Sequence, residues 1–248
     1  MVLAIIGANP AFRKDSIGPS LRIAECFCDT IQGENFCGVP SVFLRLQGCT
    51  LDCAWCDSGS IWRFGNPYSI DELLSLWEEK DVILRLRSGH HLVLTGGSPL
   101  LQQESLAMLI RTFIRKYGFK PFIEIENECT LKPRIARYVD LWNNSPKLSN
   151  SGMKRERRYH PDILKTLSRL SGSYFKFVIR SEDDWQEIMD DFLSPRIIKR
   201  DQVVIMPEGQ SREEMRKRYQ FIVDLSCREN IRMTDRLHIT IWNKKKGV

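Results

Sequence analysis

Short apolar runs separated by amphipathic stretches recur along this chain from about residue 21 to its end. Leu21–Phe27, Val42–Leu46, His91–Leu94, Phe122–Ile125, Tyr174–Ile179, Val203–Met206 and His238–Trp242 are rich in Val, Ile, Phe and Leu, and their length predicts strands. Between them the spacing turns helical. Ser69-x-x-Glu72, Ser181-x-x-Asp184 and Ser211-x-x-Glu214 each place a hydroxyl three residues before an acid, the signature of a capped helix start. Ser105–Tyr117 puts Leu106, Leu109, Ile110, Phe113, Ile114 and Tyr117 on one face and stops at Gly118. Strands alternating with helices predict parallel pairing, because each crossover needs a helix-sized connection.

In parallel sheets chemistry collects beyond the carboxyl ends of the strands. Thr95-Gly96-Gly97-Ser98, Glu126–Thr130 and Met206–Gly209 all fall there. The polar stretch 143–159 predicts a long loop inside one domain spanning residues 1–248, since no Pro/Gly-rich linker divides the chain. At 42% hydrophobic and 27% charged the composition is that of a folded globule and argues against disorder. The apolar start Val2–Ile6 is too short for a signal-peptide core, and no run reaches membrane-spanning length. The expectation is therefore a cytoplasmic protein with no membrane contact, its eight cysteines serving as thiols and not disulfides.

The net charge of +6 is mild, with basic residues bunched at Lys154–Arg158, Arg212–Arg218 and Lys244–Lys246. These bunches suit either plain solvated helix faces or the attraction of an acidic partner, such as a flavodoxin- or ferredoxin-type electron donor. No arginine-rich block interleaved with aromatics points to direct nucleic-acid binding.

Cys49, Cys53 and Cys56 form a C-x3-C-x2-C loop at positions 49–56. Three thiolates fill three corners of a four-iron, four-sulfur cube and leave one iron open to bind and reduce a ligand. The competing use is zinc, which takes four ligands, usually as two close pairs. Only Cys26-x-Cys28 offers a second pair, and it lies in an alternating strand where buried filler is the simpler role. Downstream, Leu94-Thr95-Gly96-Gly97-Ser98-Pro99 resembles the glycine motif with which radical S-adenosylmethionine (SAM) enzymes hold the methionine end of SAM. Taken alone, it is also a plain turn.

A larger resemblance covers nearly the whole chain. Asp29-Thr30-Ile31-Gln32-Gly33-Glu34, Gly38-x-Pro40-x-Val42-Phe43-x-Arg45-x-x-Gly48-Cys49 and Cys56-Asp57-Ser58 are similar to the 7-carboxy-7-deazaguanine synthases, the radical-SAM family of queuosine and 7-deazapurine biosynthesis. So are Ser145-Pro146-Lys147-Leu148, Lys176-Phe177-Val178, Met206-Pro207-Glu208, Arg236-Leu237-His238-Ile239 with Trp242, and Gly247-Val248. Gly7-Ala8-Asn9-Pro10 and Arg13-Lys14, within an N-terminal extension over residues 1–20, resemble the family's longer form.

The resemblance implies an incomplete parallel β/α barrel, part of a TIM-type barrel, and a homodimer. It implies a 4Fe–4S cluster, SAM and Mg2+. The reaction implied converts 6-carboxy-5,6,7,8-tetrahydropterin to 7-carboxy-7-deazaguanine with loss of ammonia, started by a 5′-deoxyadenosyl radical. By position, Cys49, Cys53 and Cys56 would ligate the cluster and Ser58 the Mg2+. Ile31, Gln32, Gly33, Glu34, Arg45, Thr95 and His238 would form the pterin site, Arg45 gripping the substrate carboxylate. Trp55, Asp57, Gly97, Ser98, Glu126, Ser145, Pro146, Lys147, Met206, Pro207, Glu208 and Gly209 would line SAM. Asp57 also suits a local cap, and His238 a structural role.

Three positions depart from the family pattern. The glycine motif usually ends in Glu, and here Ser98 stands in its place. Asn35 replaces a usual glycine, and the family's Glu-Thr-Asn-Gly-Thr becomes Glu126-Asn127-Glu128-Cys129-Thr130. The carboxylate expected to face the SAM ammonium is then supplied by Glu126 or Glu128. A glycyl-radical-enzyme activase shares the cluster spacing, a metal-stabilised nucleic-acid-binding protein would hold zinc, and Ser98 also fits a pseudoenzyme.

Overall fold

Period-two alternation decides which side of each strand faces the core. In Pro40–Leu46, Val42, Leu44 and Leu46 are fully buried in the hydrophobic core, while Phe43 and Arg45 line a cavity on the opposite side. Tyr174–Ile179 repeats the pattern, with Phe175, Phe177 and Ile179 in the core and Lys176 and Val178 facing the cavity.

The computed structural model describes residues 3–7, 19–243 and 245. Its strands are β1 (Leu3–Ile6), β2 (Ser20–Ile31), β3 (Pro40–Leu46), β4 (Asn66–Ser69) and β5 (His91–Gly96), then β6 (Ile123–Asn127), β7 (Leu141–Asn144), β8 (Ser173–Ile179), β9 (Val203–Pro207) and β10 (Arg232–Met233). They join in one sheet of order β1-β2-β3-β5-β6-β7-β8-β9-β10, with β4 added beside β2. From β3 to β10 every neighbouring pair is parallel. The path ends at β1 and β10 and does not close, and residues from β2, β3, β5, β6, β8 and β9 all line one cavity. This is an incomplete β/α barrel with a mixed margin.

The margin is where the alternation rule fails. β2 pairs antiparallel with β1, β3 and β4. β2 and β3 are joined by no helix but by a turn in which Gln32 N–H donates to Val39 O and Gly38 N–H to Gln32 O, each at 2.8 Å.

The helices follow their start and stop signals. Ser69 forms a full capping box with Glu72 ahead of Ile70–Glu79, and the Ser211 hydroxyl accepts from Glu214 N–H ahead of Arg212–Glu229. Gly118, at φ 74°, ends the helix Gln103–Tyr117. Ser181 makes no such bond; the Asp184 carboxylate instead accepts from Arg180 N–H at 2.8 Å.

Two expectations need correction. His238–Trp242 is not a strand: Leu237–Trp242 is a helix, with Ile239 buried and Ile241 largely exposed. Its Ile-Thr-Ile alternation imitates a strand, but no strand among the described residues pairs with it, and strand propensity yields to context. The stretch 143–159 is more ordered than a loop. It carries the end of β7, a 3-10 turn at Ser149–Ser151 and a helical turn at Arg155–Arg158.

Three arginines of the basic run inside that stretch brace the fold. Arg155 pairs with Asp191, Arg158 with Glu187 at 2.6 Å, and Arg157 donates to Thr50 O at 2.7 Å. No described helix is long and apolar enough to cross a membrane. Ala8–Pro10, Arg13-Lys14 and Gly247-Val248 lie outside the described residues.

Candidate active site

Strand register brings charged residues to one level of the sheet's inner face. Glu25 on β2 stands opposite Arg45 on β3, and Arg45 opposite Thr95 on β5. Arg45 Nε donates to Glu25 Oε1 at 2.6 Å, and Thr95 Oγ1 donates to Glu126 Oε2 on β6 at 2.8 Å. Burial works against the Arg45 charge, but the Glu25 carboxylate outweighs it and holds the guanidinium firmly cationic.

Below this row, fully buried Glu124 accepts from Gln32 Nε2 and Asn143 Nδ2, each at 2.9 Å, and meets His91 Nδ1. Gln32 Oε1 accepts from Gly33 N–H at 2.7 Å. The Gln32 side chain therefore has both ends occupied by protein and fixes the turn carrying Gly33 and Glu34. Glu34 pairs with Lys176 across the cavity, and burial pushes its carboxyl up against the pull of that ammonium.

The cysteine loop faces the same cavity, of about 570 Å³. Cys49 Sγ accepts from Leu51 N–H at 3.4 Å and from the Ser98 hydroxyl at 3.5 Å, and Cys56 Sγ accepts from Trp62 Nε1 at 3.5 Å. Donors aimed at sulfur suit thiolates that carry charge. No group of three or more Cys, His, Asp or Glu among the described residues is arranged to hold one metal ion. A cube asks for a different arrangement, with each thiolate on its own iron. Cys26 and Cys28 are fully buried in the core, where burial pushes the Cys26 thiol up to about 12.

The loop is held from behind. Ala54 N–H donates to Ser151 O at 3.0 Å, Trp55 Nε1 to Asn150 Oδ1 at 3.2 Å, and Asp52 N–H reaches Met153 Sδ at 3.4 Å. In front, the glycine turn packs directly on it. A Cβ on Gly97 would lie 2.4 Å from Cys49 Cβ and 2.4 Å from Gly48 O, and one on Gly96, at φ +151°, would lie 2.5 Å from Leu46 O. Only glycines permit this approach.

The helix Leu237–Trp242 forms the mouth of the cavity on one side, with Leu237, His238 and Ile239 in its lining. Asp57, next to the last cysteine, meets Arg236 and accepts from His238 Nε2 at 3.3 Å. Burial tends to raise the Asp57 carboxyl, but the Arg236 charge and then His238 hold it well below the usual carboxylate range. Arg236 Nη1 also donates to Gly209 O at 3.0 Å, which ties the β9 turn to the mouth.

Ile31, Gln32, Gly33, Glu34, Arg45, Thr95 and His238 thus line the cavity with Cys49, Cys53, Cys56 and Ser58. Trp55, Asp57, Gly97, Glu126, Ser145, Lys147 and Met206 line it as well. Ser98, Pro146, Pro207, Glu208 and Gly209 do not. Ser98 is fully buried behind the cysteine loop, where its Oγ accepts from Thr50 N–H at 2.9 Å. Glu208 turns to Arg218 at 2.8 Å, and a Cβ on Gly209 would meet Met215 Sδ at 3.1 Å. Glu25, Glu124 and Thr50 escaped the sequence reading, and Lys176 and Arg236 entered it only inside motifs. The available signal was phase for Glu124, Glu126 and Lys176, which sit at the polar positions of otherwise apolar strands; Glu25 shares the odd phase of the core residues Leu21 and Ile23, and a register shift between Ile23 and Glu25 turns it to the cavity.

An incomplete β/α barrel with a three-thiolate loop and a glycine turn at its open end defines a radical-SAM iron–sulfur enzyme. A family model described as a 4Fe-4S single cluster domain matches residues 32–128. The chain is 32% identical to the 7-carboxy-7-deazaguanine synthase of Pyrobaculum aerophilum, over 94% of this chain and 99% of that protein. With the synthase of Halobacterium salinarum the identity is 29%, covering 91% and 92%. In fold it is similar to the crystal structure of QueE from Escherichia coli, with a TM-score of 0.63 at 24% identity, covering 88% and 94% of the two chains. The chain belongs to the 7-carboxy-7-deazaguanine synthase family. That membership does not favour an activase or a zinc-binding nucleic-acid module.

Proposed function

We propose that this chain converts 6-carboxy-5,6,7,8-tetrahydropterin to 7-carboxy-7-deazaguanine, with loss of ammonia, in 7-deazapurine biosynthesis. The observation that carries the proposal is the Glu25–Arg45–Thr95–Glu126 row facing the same cavity as the three cysteines. Arg45 presents a planar, permanent cation to the substrate carboxylate, while Glu25 holds the guanidinium in place from behind. Thr95 and Glu126 present a hydroxyl and a carboxylate to the polar edge of the pterin. The Gly33–Glu34 turn, fixed by Gln32 on Glu124, covers the ring, and Lys176 with Glu34 can exchange a proton near the departing nitrogen.

Cys49, Cys53 and Cys56 hold the cluster, and the Gly97 turn with Ser145, Lys147 and Met206 lines the SAM end. Bound together and reduced, cluster and SAM supply a 5′-deoxyadenosyl radical for hydrogen abstraction. Ser58 offers one hydroxyl beside Cys56, 3.8 Å from its Sγ. That is a minimal set for Mg2+, an ion that keeps several waters and completes its shell from substrate oxygens. A homodimer in the cytoplasm, with a flavodoxin- or ferredoxin-type electron donor, completes the proposal. The compartment alone is supported by the unpaired state of all eight cysteines, which suits a reducing environment.

Titrating the cluster-loaded protein with the carboxylated pterin and with the same pterin lacking its carboxylate tests the substrate assignment. Arg45→Met is expected to weaken only the carboxylated ligand, by roughly tenfold to a hundredfold. Equal binding of both pterins by the unaltered protein would overturn the assignment.

A further inference from the structure

The family's usual carboxylate at the end of the glycine motif is missing, and the Ser98 hydroxyl cannot act for it. Ser98 Oγ is buried behind the cysteine loop, occupied by Thr50 N–H and directed at Cys49 Sγ. A carboxylate nevertheless reaches the same end of the cavity from the neighbouring strand.

Glu128 is 4% exposed and lines the cavity. Its Oε1 accepts from Thr50 Oγ1 at 3.1 Å and from Thr130 Oγ1 at 2.6 Å. Its Oε2 is buried and has no hydrogen-bond partner among the described residues. A buried carboxylate oxygen left without a donor is costly, and a cationic donor is the most favourable partner it can receive. Thr50 joins the two positions, since its Oγ1 lies 3.2 Å from Ser98 Oγ as well as 3.1 Å from Glu128 Oε1. Glu126 is spoken for elsewhere: it accepts from Thr95 and lies in the row with Arg45, at the pterin end.

We propose that Glu128 Oε2 receives the α-ammonium of SAM, so that the carboxylate absent at position 98 has moved one strand along and is fixed there by Thr50 and Thr130. The inference rests on the radical-SAM function proposed above. Within it, Glu128 and not Glu126 becomes the anchor of the methionine end. The pairing also gives Ser98 a purpose: a small hydroxyl at that position leaves room for Thr50 to orient Glu128.

The test is anaerobic equilibrium dialysis of cluster-loaded protein, without pterin, against SAM and against the SAM analogue lacking only the α-amino group. Glu128→Gln is expected to raise the dissociation constant for SAM by roughly tenfold to a hundredfold. The constant for the deamino analogue should stay within about twofold. A parallel loss for both ligands would mean a structural role and overturn the inference, as would an amino-selective loss in Glu126→Gln in place of Glu128→Gln. If Glu128→Gln fails to load iron, Glu128→Asp takes its place with the same ligand pair and the same criteria. Because no pterin is present, failure of the substrate assignment leaves this result standing, and failure here leaves the substrate assignment standing.

Discussion

Adding one methyl group at Gly97 should damage the site more than any other change of that size. The new Cβ would stand 2.4 Å from Cys49 Cβ, 2.4 Å from Gly48 O and 2.8 Å from Gly48 C. Carbon atoms in contact prefer about 3.5–4.0 Å, so one loop must retreat by about 1 Å. The obstacles are backbone and the first carbon of a cluster ligand, and neither can rotate away. Overpacking of this kind costs about 1–3 kcal/mol. A displacement of about 1 Å between SAM and the cluster costs roughly a hundredfold in rate. Gly59→Ala is the internal control, because its Cβ would meet Cys56 Cβ and Sγ at an ordinary 3.8 Å. Gly97→Ala should lower the melting temperature, the iron content and the SAM affinity together, while Gly59→Ala changes stability by less than about 0.5 kcal/mol. If Gly97→Ala loads iron, binds SAM and melts like the unaltered protein, the close packing of glycine turn on cysteine loop is refuted.

Further outcomes follow from the same geometry. Arg236→Gln leaves Asp57 without its main counter-charge and should cost about 3 kcal/mol in urea unfolding, whereas His238→Phe, at a half-exposed ring, should cost less than about 1 kcal/mol. The depressed Asp57 carboxyl contributes stability above its unfolded value of about 4, and that contribution is lost as pH falls through its lower folded value. Unfolding between pH 6 and 3 should therefore show an acid loss that Arg236→Gln reduces; identical profiles would remove Arg236 as the cause. Glu124→Gln turns an acceptor of Gln32 and Asn143 into a partial donor, and a loss of about 1–3 kcal/mol with weakened pterin binding is expected. Iron analysis of alanine variants should separate Cys49, Cys53 and Cys56, each needed for full loading, from Cys26 and Cys28, which are core filler.

What the sequence made legible depended on how local the signal was. The central strands β3, β5, β6, β8 and β9 announced themselves as apolar runs, and the Ser69 and Ser211 caps fixed helix starts to the residue. β7 did not, because Asn143 and Asn144 look like a turn. Buried in the sheet, they are satisfied by Glu124, Asn127 and Ser173, partners 17 to 29 residues away. The antiparallel margin was equally hidden, since a turn between Gln32 and Val39 leaves no helical period to notice its absence by.

At the site, the cysteines and the glycine turn carry their chemistry in contiguous spacing and were readable. Glu25 and Glu124, carried by the sheet, act through residues 20 and 92 positions away, and Arg236, at the start of the last helix, through Asp57 179 positions away, so no local spacing marks them. Ser98 marked a missing carboxylate, but the choice between Glu126 and Glu128 needed the orphaned oxygen.

Product formation by protein of defined metal content decides whether this chain carries out the proposed reaction. Anaerobic protein reconstituted with iron and sulfide, given SAM, reductant, Mg2+ and 6-carboxytetrahydropterin, should form 7-carboxy-7-deazaguanine and ammonia in equal amounts. The same protein loaded with zinc should form neither. Absence of 7-carboxy-7-deazaguanine from the iron-loaded protein, with cluster content confirmed, would contradict the account.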